Sequence, residues 1–217
     1  MNISKLKSVA YGYVKQNYQF WQVFIVLLIP MLISGIGSIN SYGQDTSNEL
    51  LGIILRLVGL LPFTYGALIA IKDDIYDVYN LNKYDFFAAF RKYNTQNILL
   101  SIGLSIVISI YTILWTMLFI VPGIIKGIAY SQAPLLLADD IKNGAELKTI
   151  NEYITLSREI MDGKKASYFW MNVSMIGWFL LGMITFGIAF IFVIPYYYAL
   201  LSVFYEEAKI DYFNSIR

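Results

Sequence analysis

Two cations inside long apolar runs are the residues best placed to do chemistry in this 217-residue chain. Arg56 and Lys126 each lie in an apolar run that contains no aspartate or glutamate. An uncompensated charge is costly in hydrocarbon, so an intramembrane cation is a candidate contact for a carboxylate or a lipid phosphate. The alternative is that each side chain extends to the outer membrane surface, or pairs with Asp45 or Glu49.

A face of small hydroxyl residues is the second polar feature within the apolar runs. Such residues at helical spacing let two helices approach closely and form hydrogen bonds, but they can also line a polar permeation path. Asn172, in a later run, presents the same alternatives, an interhelical hydrogen bond or a substrate contact. The hydroxyl face consists of Ser101, Ser105, Ser109, Thr112 and Thr116.

Three pairs of adjacent acidic residues follow apolar runs. An acid at the C-terminal end of a helix opposes the helix dipole, so cations are expected to compensate it. We therefore predict a cytoplasmic ring of ion pairs that joins the ends of membrane spans to amphipathic helices. The acids are Asp73, Asp74, Asp139, Asp140, Glu206 and Glu207, and the candidate cations are Arg91, Lys92, Arg158, Lys164 and Lys165.

The residue types that most often carry catalysis are missing from the sequence. It contains no cysteine and no histidine, which excludes thiolate nucleophiles and removes the commonest general base and metal ligand. It also lacks a phosphate-binding glycine-rich loop and the GxSxG and HExxH motifs. A net charge of +1 provides no basic face for nucleic acid. We expect no enzyme activity, no cofactor and no nucleic-acid partner.

Six apolar segments must position these residues. The chain is 58% hydrophobic and 14% charged, whereas soluble domains carry about 25% charged residues. Several runs approach the roughly 20 apolar residues that cross a bilayer. We predict an all-α integral membrane protein with one polytopic domain (1–217), whose first run is retained rather than cleaved as a signal peptide. The predicted spans are 20–37, 50–71, 98–121, 124–138, 168–183 and 188–205.

The fourth predicted span is short, and a broken, re-entrant helix is the alternative for it. Turns are predicted at Pro122-Gly123 and at 185–187. Amphipathic helices are expected outside the spans. The segment 2–18 is typical of an interfacial helix, with a flexible tail as the alternative. The segment 145–161 carries apolar residues on one helical face, and Gly163 is its expected C-terminal cap.

Basic residues lie on one side of these spans. Apart from Arg56 and Lys126, every lysine and arginine falls before span one, between spans two and three, between spans four and five, or after span six. The positive-inside rule then places both termini in the cytoplasm. Membrane lipids are the expected surroundings and partners of such a chain.

The spans also follow a weak internal repeat. An amphipathic helix that ends in basic residues precedes two spans in each predicted unit. The distance from Pro62 to Asp73 equals that from Pro195 to Glu206, and a tyrosine lies three residues after each proline. The middle unit fits less well. We predict a three-unit pseudo-repeat, as in many transporters; the alternative is that any six-span protein looks periodic.

The sequence resembles a bacterial membrane family known as domain of unknown function 975 (DUF975), most closely in its C-terminal half. The resemblance implies a multi-span plasma-membrane protein, distantly similar to the membrane part attached to some glycerophosphodiester phosphodiesterases. It implies no activity and no catalytic residues. The matching segments are VPGIIKGIAYSQAP (121–134), Asp139, SREIMDGKK (157–165), IGW (176–178), TFGI (185–188), PYYYALLSVFYEE (195–207) and FFAAFRKY (86–93).

The sequence leaves three functions open. We expect a non-enzymatic membrane protein that is an accessory to export or gives immunity against membrane-active peptides, and that binds a membrane protein or peptide. The first alternative is a transporter or channel for a small or lipidic anion, lined by Arg56, Lys126 and the hydroxyl face. The second alternative is a membrane helper in lipid metabolism, which rests on the phosphodiesterase likeness alone.

Overall fold

The computed structural model describes residues 2–15 and 94–216, together with Tyr65, Leu68, Ile69, Ile71 and Lys72. All regular secondary structure within these residues is helical, as the sequence predicts. The helices of the described part are α1 (Ile3–Lys15), α2 (Thr95–Leu118), α3 (Ile120–Tyr130), α4 (Ala133–Asn143), α5 (Ile150–Ile160), α6 (Lys165–Val173), α7 (Ile176–Ile184) and α8 (Phe190–Ser215).

Three stretches of the described residues are long and apolar enough to cross a bilayer. They are Thr95–Leu118, Ile120–Asn143 and Lys165–Ile184. The last two contain the predicted fourth and fifth spans, and the first covers the predicted third span up to Leu118, three residues before its predicted end. The sixth predicted span, 188–205, lies in α8 from Phe190 onward, and α8 is not among the three. The predicted first span lies outside the described residues, as does most of the second.

The turn between α2 and α3 lies earlier than the sequence predicts. Phe119 has an extended backbone, with φ −157° and ψ 137°, and separates the two helices. Pro122 and Gly123 therefore lie in the first turn of α3, where the missing N–H of proline would have no helical partner. The predicted turn at Pro122-Gly123 is wrong. The predicted turn at 185–187 is confirmed, with φ 51° at Phe186 and φ 92° at Gly187.

The fourth predicted span is broken into α3 and α4. The break precedes Pro134, which lies at the start of α4 and cannot donate a helical hydrogen bond. Ser157 of α5 satisfies two backbone groups at the break. Its hydroxyl donates to the carbonyl oxygen of Ala129 at 2.8 Å and accepts from the N–H of Gln132 at 3.2 Å. The break therefore depends on a side chain from another helix.

Two of the acidic pairs do not end their helices. The helix α4 continues past Asp139 and Asp140 to Asn143, where Gly144 caps it with φ 66°. The helix α8 continues past Glu206 to Ser215. The expectation that the acids mark helix ends is therefore wrong for Glu206 and Glu207, whereas Asp140 lies in the last turn of α4, three residues before its end. Their positions need another explanation, which the ion pairs described below provide.

The amphipathic segments form helices that pack on the other elements. The helix α1 lies against α8, with Leu6 and Ala10 buried between them. The helix α5 begins at Ile150, five residues later than predicted. A capping box sets this start, because the side chain of Thr149 accepts from the N–H of Glu152 and the Glu152 side chain accepts from the N–H of Thr149. Gly163 has φ 68°, as expected for a residue that ends a helix.

The buried core surrounds α4. Nearly every residue of α4 from Ala133 to Ile141 is buried, as are most residues of α8 between Ala199 and Ala208. The opposite ends of the helical hairpins, near Phe119 and Phe186, are exposed and apolar. The molecule therefore has a packed end that contains the charged residues and an apolar end that packs on little else.

Candidate functional site

A buried charge cluster lies at the packed end, centred on the carboxylate of Asp139. Only 3% of the Asp139 side chain is exposed. Oδ1 accepts hydrogen bonds from Lys72 Nζ at 3.0 Å and from Asn143 Nδ2 at 3.3 Å. Oδ2 accepts from Tyr205 Oη at 3.1 Å and from Lys209 Nζ. Four donors match the four lone-pair sites of an ionised carboxylate, which explains how this charge is tolerated in the core.

Glu206 extends the buried charge cluster. Its Oε2 lies 3.6 Å from Lys72 Nζ, so Lys72 contacts carboxylates from both α4 and α8. This oxygen is buried and accepts no hydrogen bond from the residues that the structure describes. A buried carboxylate oxygen of this kind relies on the nearby ammonium for its stabilisation. The cluster therefore holds α4, α8 and the segment containing Lys72 together by charge.

Equivalent positions of the predicted second and sixth spans meet at this cluster. Ser202 Oγ donates to the carbonyl oxygen of Leu68 at 2.8 Å, and Lys72 pairs with Glu206. Both contacts join residues 134 positions apart in the chain, close to the 133 positions that separate Pro62 from Pro195. The two segments are thus parallel and nearly in register. The three-unit repeat itself stays a prediction.

The second acid of the middle pair tethers α5 to α4. Asp140 Oδ2 accepts from Lys148 Nζ at 2.6 Å and from Tyr153 Oη at 2.9 Å. Burial raises the pKa of the Tyr153 phenol, and the neighbouring Asp140 carboxylate raises it further. The phenol therefore stays protonated and remains a donor. At the other acidic pair, Glu207 binds Lys5 of α1 at 3.2 Å.

The cations expected to pair with these acids lie elsewhere. Lys165 Nζ lies 3.6 Å from Asp162, and Lys164 Nζ donates to the carbonyl oxygen of Ile160 at 3.4 Å. Arg158 is exposed on α5 and forms no ion pair with any described residue. The structure thus gives the described acids other partners, namely Lys5, Lys72, Lys148 and Lys209. Asp73, Asp74, Arg91 and Lys92 lie outside the described residues.

The hydroxyl face of α2 bonds to its own backbone. Each of four side chains donates to the carbonyl oxygen four residues earlier, at 2.7 to 2.9 Å. This use of the hydroxyl hydrogens within the helix favours packing over a permeation path. The donors are Ser101, Ser105, Ser109 and Thr116.

The same face of α2 packs closely on two glycines of α3. A Cβ added at Gly123 would lie 2.2 Å from Thr116 Oγ1 and 2.6 Å from Thr116 Cα. A Cβ added at Gly127 would lie 3.4 Å from Thr112 Cγ2. Small residues four positions apart are what closely packed membrane helices use. Sequence reasoning missed this role, although the spacing of the two glycines signals it.

Asn172 joins two helices. Its Nδ2 donates to the carbonyl oxygen of Tyr168 at 2.8 Å, and its Oδ1 accepts from Tyr197 Oη of α8 at 2.7 Å. This geometry favours the interhelical hydrogen bond over a substrate contact.

Of the two cations inside apolar runs, Arg56 lies outside the described residues. Lys126 Nζ lies over the ring of Trp115, 4.6 Å from its centroid. The side chain also borders a cleft between α3 and α5 of about 380 Å³. Lys126 is therefore next to the amphipathic helix α5, rather than isolated at the outer end of a span.

Lys72, Lys209 and Tyr205 are the main residues of the charge cluster that sequence reasoning missed. Lys72 directly precedes an acidic pair and Lys209 follows one within a helical turn, so their positions carried a signal. The cluster balances charge and fixes helices in place. Among the described residues, no three carboxylates gather to hold a metal ion.

A family model described as "Protein of unknown function (DUF975)" matches residues 4–210. Comparisons with curated proteins and with solved structures find no match, and the expected likeness to glycerophosphodiester phosphodiesterases is not shown. The family match covers almost the whole chain, including the charge cluster, the broken fourth span and α1. The chain therefore belongs to the DUF975 family of proteins of unknown function.

Proposed function

We propose that the protein is a non-enzymatic, multi-span protein of the bacterial plasma membrane that binds another molecule within the bilayer. In this role it acts as an accessory to export or protects against membrane-active peptides. The exposure of α2 carries the proposal. The apolar stretch within this helix has a mean hydropathy of 2.3, yet only 11% of that stretch is buried. Such a surface is unfavourable in water and suited to lipid or to an apolar partner.

The tips of two helical hairpins support binding rather than simple anchoring. Phe119 and Ile120 join α2 to α3, and Phe186 and Ile188 join α7 to α8; all four are exposed. Phe186 is 98% exposed and has a positive φ, which a bulky residue rarely adopts. An aromatic side chain held outward at an unfavourable backbone conformation is well placed to insert into a partner or into lipid.

A six-span topology with both termini in the cytoplasm is part of the proposal. The distribution of lysine and arginine supports it. The contact between Lys5 of α1 and Glu207 of α8 supports it as well, because it brings the first helix to the C-terminal part of the last one. Both termini then lie at the packed end, with the charge cluster.

Transport of a small or lipidic anion is the second candidate function. The cleft that contains Lys126 and Arg158 favours it. The hydroxyl face of α2 does not, because its hydroxyls bond to their own helix.

Native mass spectrometry of the protein extracted gently from its own membrane tests the binding role. We expect a stoichiometric protein or peptide partner with the wild type and its loss with Phe186→Asn. Asparagine tolerates a positive φ, so this variant changes the apolar tip without straining the fold. Gly177→Ala, at a position with open space, is the control that retains the partner. A wild type recovered only with lipids, under extraction that preserves a known complex from the same membrane, would contradict the proposal.

A further inference from the structure

We propose that the cleft between α3 and α5 binds a phosphate-bearing anion, either a phospholipid headgroup or a soluble phosphate. The inference rests on the proposed membrane location only where the phosphate belongs to a lipid. The cleft has a volume of about 380 Å³. Its polar lining consists of Lys126, Thr155, Arg158, Glu159, Asp162 and Lys165.

The acids of this cleft are already engaged. Asp162 lies 3.6 Å from Lys165 Nζ. Glu159 Oε2 accepts a hydrogen bond from Tyr212 Oη at 2.6 Å, and this bond raises the pKa of the Tyr212 phenol. Neither carboxylate forms an ion pair with Arg158. The three cations of the lining exceed its two acids by one, so the cleft has an excess of positive charge.

Two cations of the cleft therefore face it without an acidic partner among the described residues. Lys126 Nζ contacts the ring of Trp115, and Arg158 forms no ion pair there. The guanidinium of arginine presents paired N–H donors that match phosphate oxygens, and a lysine ammonium adds a point charge. A phosphate between them would neutralise a cation that otherwise lies in an apolar helix.

The surroundings of the cleft suit an amphipathic ligand. Lys126 lies on α3, whose residues Val121, Ile124 and Ile125 are exposed, and Ile125 borders the cleft. Acyl chains can lie along this apolar surface while the headgroup phosphate meets Arg158 on the polar face of α5. A soluble phosphate would use the same cations and leave the apolar surface unoccupied.

The test uses the full-length protein in detergent, with Arg158→Gln, Lys126→Gln and the control Lys164→Gln. Lys164 is a neighbouring cation, so its substitution by glutamine makes the same charge change. It serves as the control because it does not line the cleft. Binding of dioleoylphosphatidylglycerol, dioleoylphosphatidylcholine and inorganic phosphate is measured by native mass spectrometry and isothermal titration calorimetry. Melting temperatures show whether each variant folds, and the two cleft variants serve as independent probes if one does not.

We expect Arg158→Gln and Lys126→Gln each to weaken anion binding about tenfold, as loss of a hydrogen bond to a charged group predicts. Lys164→Gln should bind as the wild type does. If the wild type prefers phosphatidylglycerol to phosphatidylcholine and does not bind inorganic phosphate, the site is a lipid site. If the wild type binds inorganic phosphate and the two cleft variants lose that binding to the same extent, the site is a soluble-phosphate site. Wild-type affinity of both cleft variants for phosphatidylglycerol and for inorganic phosphate would overturn the inference. The partner capture described above would be unaffected by that result, so the two proposals fail separately.

Discussion

Replacing Asp139 by asparagine is expected to lower the free energy of unfolding by about 3–5 kcal/mol, the range for removing one partner from a buried ion pair. The variant keeps the shape of the side chain but removes the charge that balances Lys72 and Lys209. Lys72 is nearly buried and cannot turn to solvent. Equilibrium unfolding of the purified protein in mixed micelles, followed by circular dichroism, measures the loss.

The matched control is Asp162→Asn, which makes the same chemical change at an exposed ion pair. The Asp162 side chain is 85% exposed, and such pairs contribute about 0–1 kcal/mol. A double variant with Lys209→Met should recover part of the stability lost in Asp139→Asn, because Lys209 forms its ion pair in the described part of the chain with Asp139. If Asp139→Asn and Asp162→Asn cost the same, the charge cluster does not hold the helices together.

Substituting Gly123 by alanine has the second large expected effect, a loss of about 1–3 kcal/mol from overpacking. The added methyl group would meet the backbone of Thr116 at 2.6 Å, as well as its side-chain oxygen. A backbone atom cannot rotate away, so α2 and α3 must separate. Unfolding in the same micelles measures the change.

Two other glycines provide controls for this substitution. At Gly127 a Cβ would lie at an ordinary 3.4 Å from Thr112, so Gly127→Ala should be tolerated. At Gly177, within α7, nothing lies within 4 Å, and alanine should stabilise the helix by about 0.4–1 kcal/mol. Equal stability of Gly123→Ala and Gly127→Ala would show that α2 and α3 do not pack closely at Gly123.

Local patterns in the sequence predict the helical class, the third to fifth apolar stretches and the turn at 185–187. Those features depend on the length of apolar runs and on turn residues within a few positions. The break between α3 and α4 is different, because Ser157 of a later helix completes it. Pro134 marks where a break is favoured, but the sequence does not show which side chain satisfies the freed backbone groups.

The partners of the acidic residues were also beyond local inference. Asp139 meets Lys72 and Lys209, which lie 67 and 70 residues away in the chain. If the acids ended their helices, the nearest cations would belong to the amphipathic segments. Instead α4 and α8 continue past the acids, and the acids face neighbouring helices. A carboxylate that is buried there is stable only with a cation close to it. The lysines next to the other acidic pairs, Lys72 and Lys209, predict the partners of Asp139 better than the cations of the amphipathic segments do.

Membrane embedding with both termini in the cytoplasm is the central claim, and cysteine accessibility in intact cells tests it most directly. The chain contains no cysteine, so each introduced thiol reports one position. Asn2 and Ser215 are exposed near the two ends, and Ser41 lies between the first two predicted spans, outside the described residues. With a membrane-impermeant maleimide, we predict labelling of Ser41→Cys in intact cells, and of Asn2→Cys and Ser215→Cys only after permeabilisation. Labelling of either terminal position in intact cells, or recovery of the protein in the soluble fraction, would contradict the account.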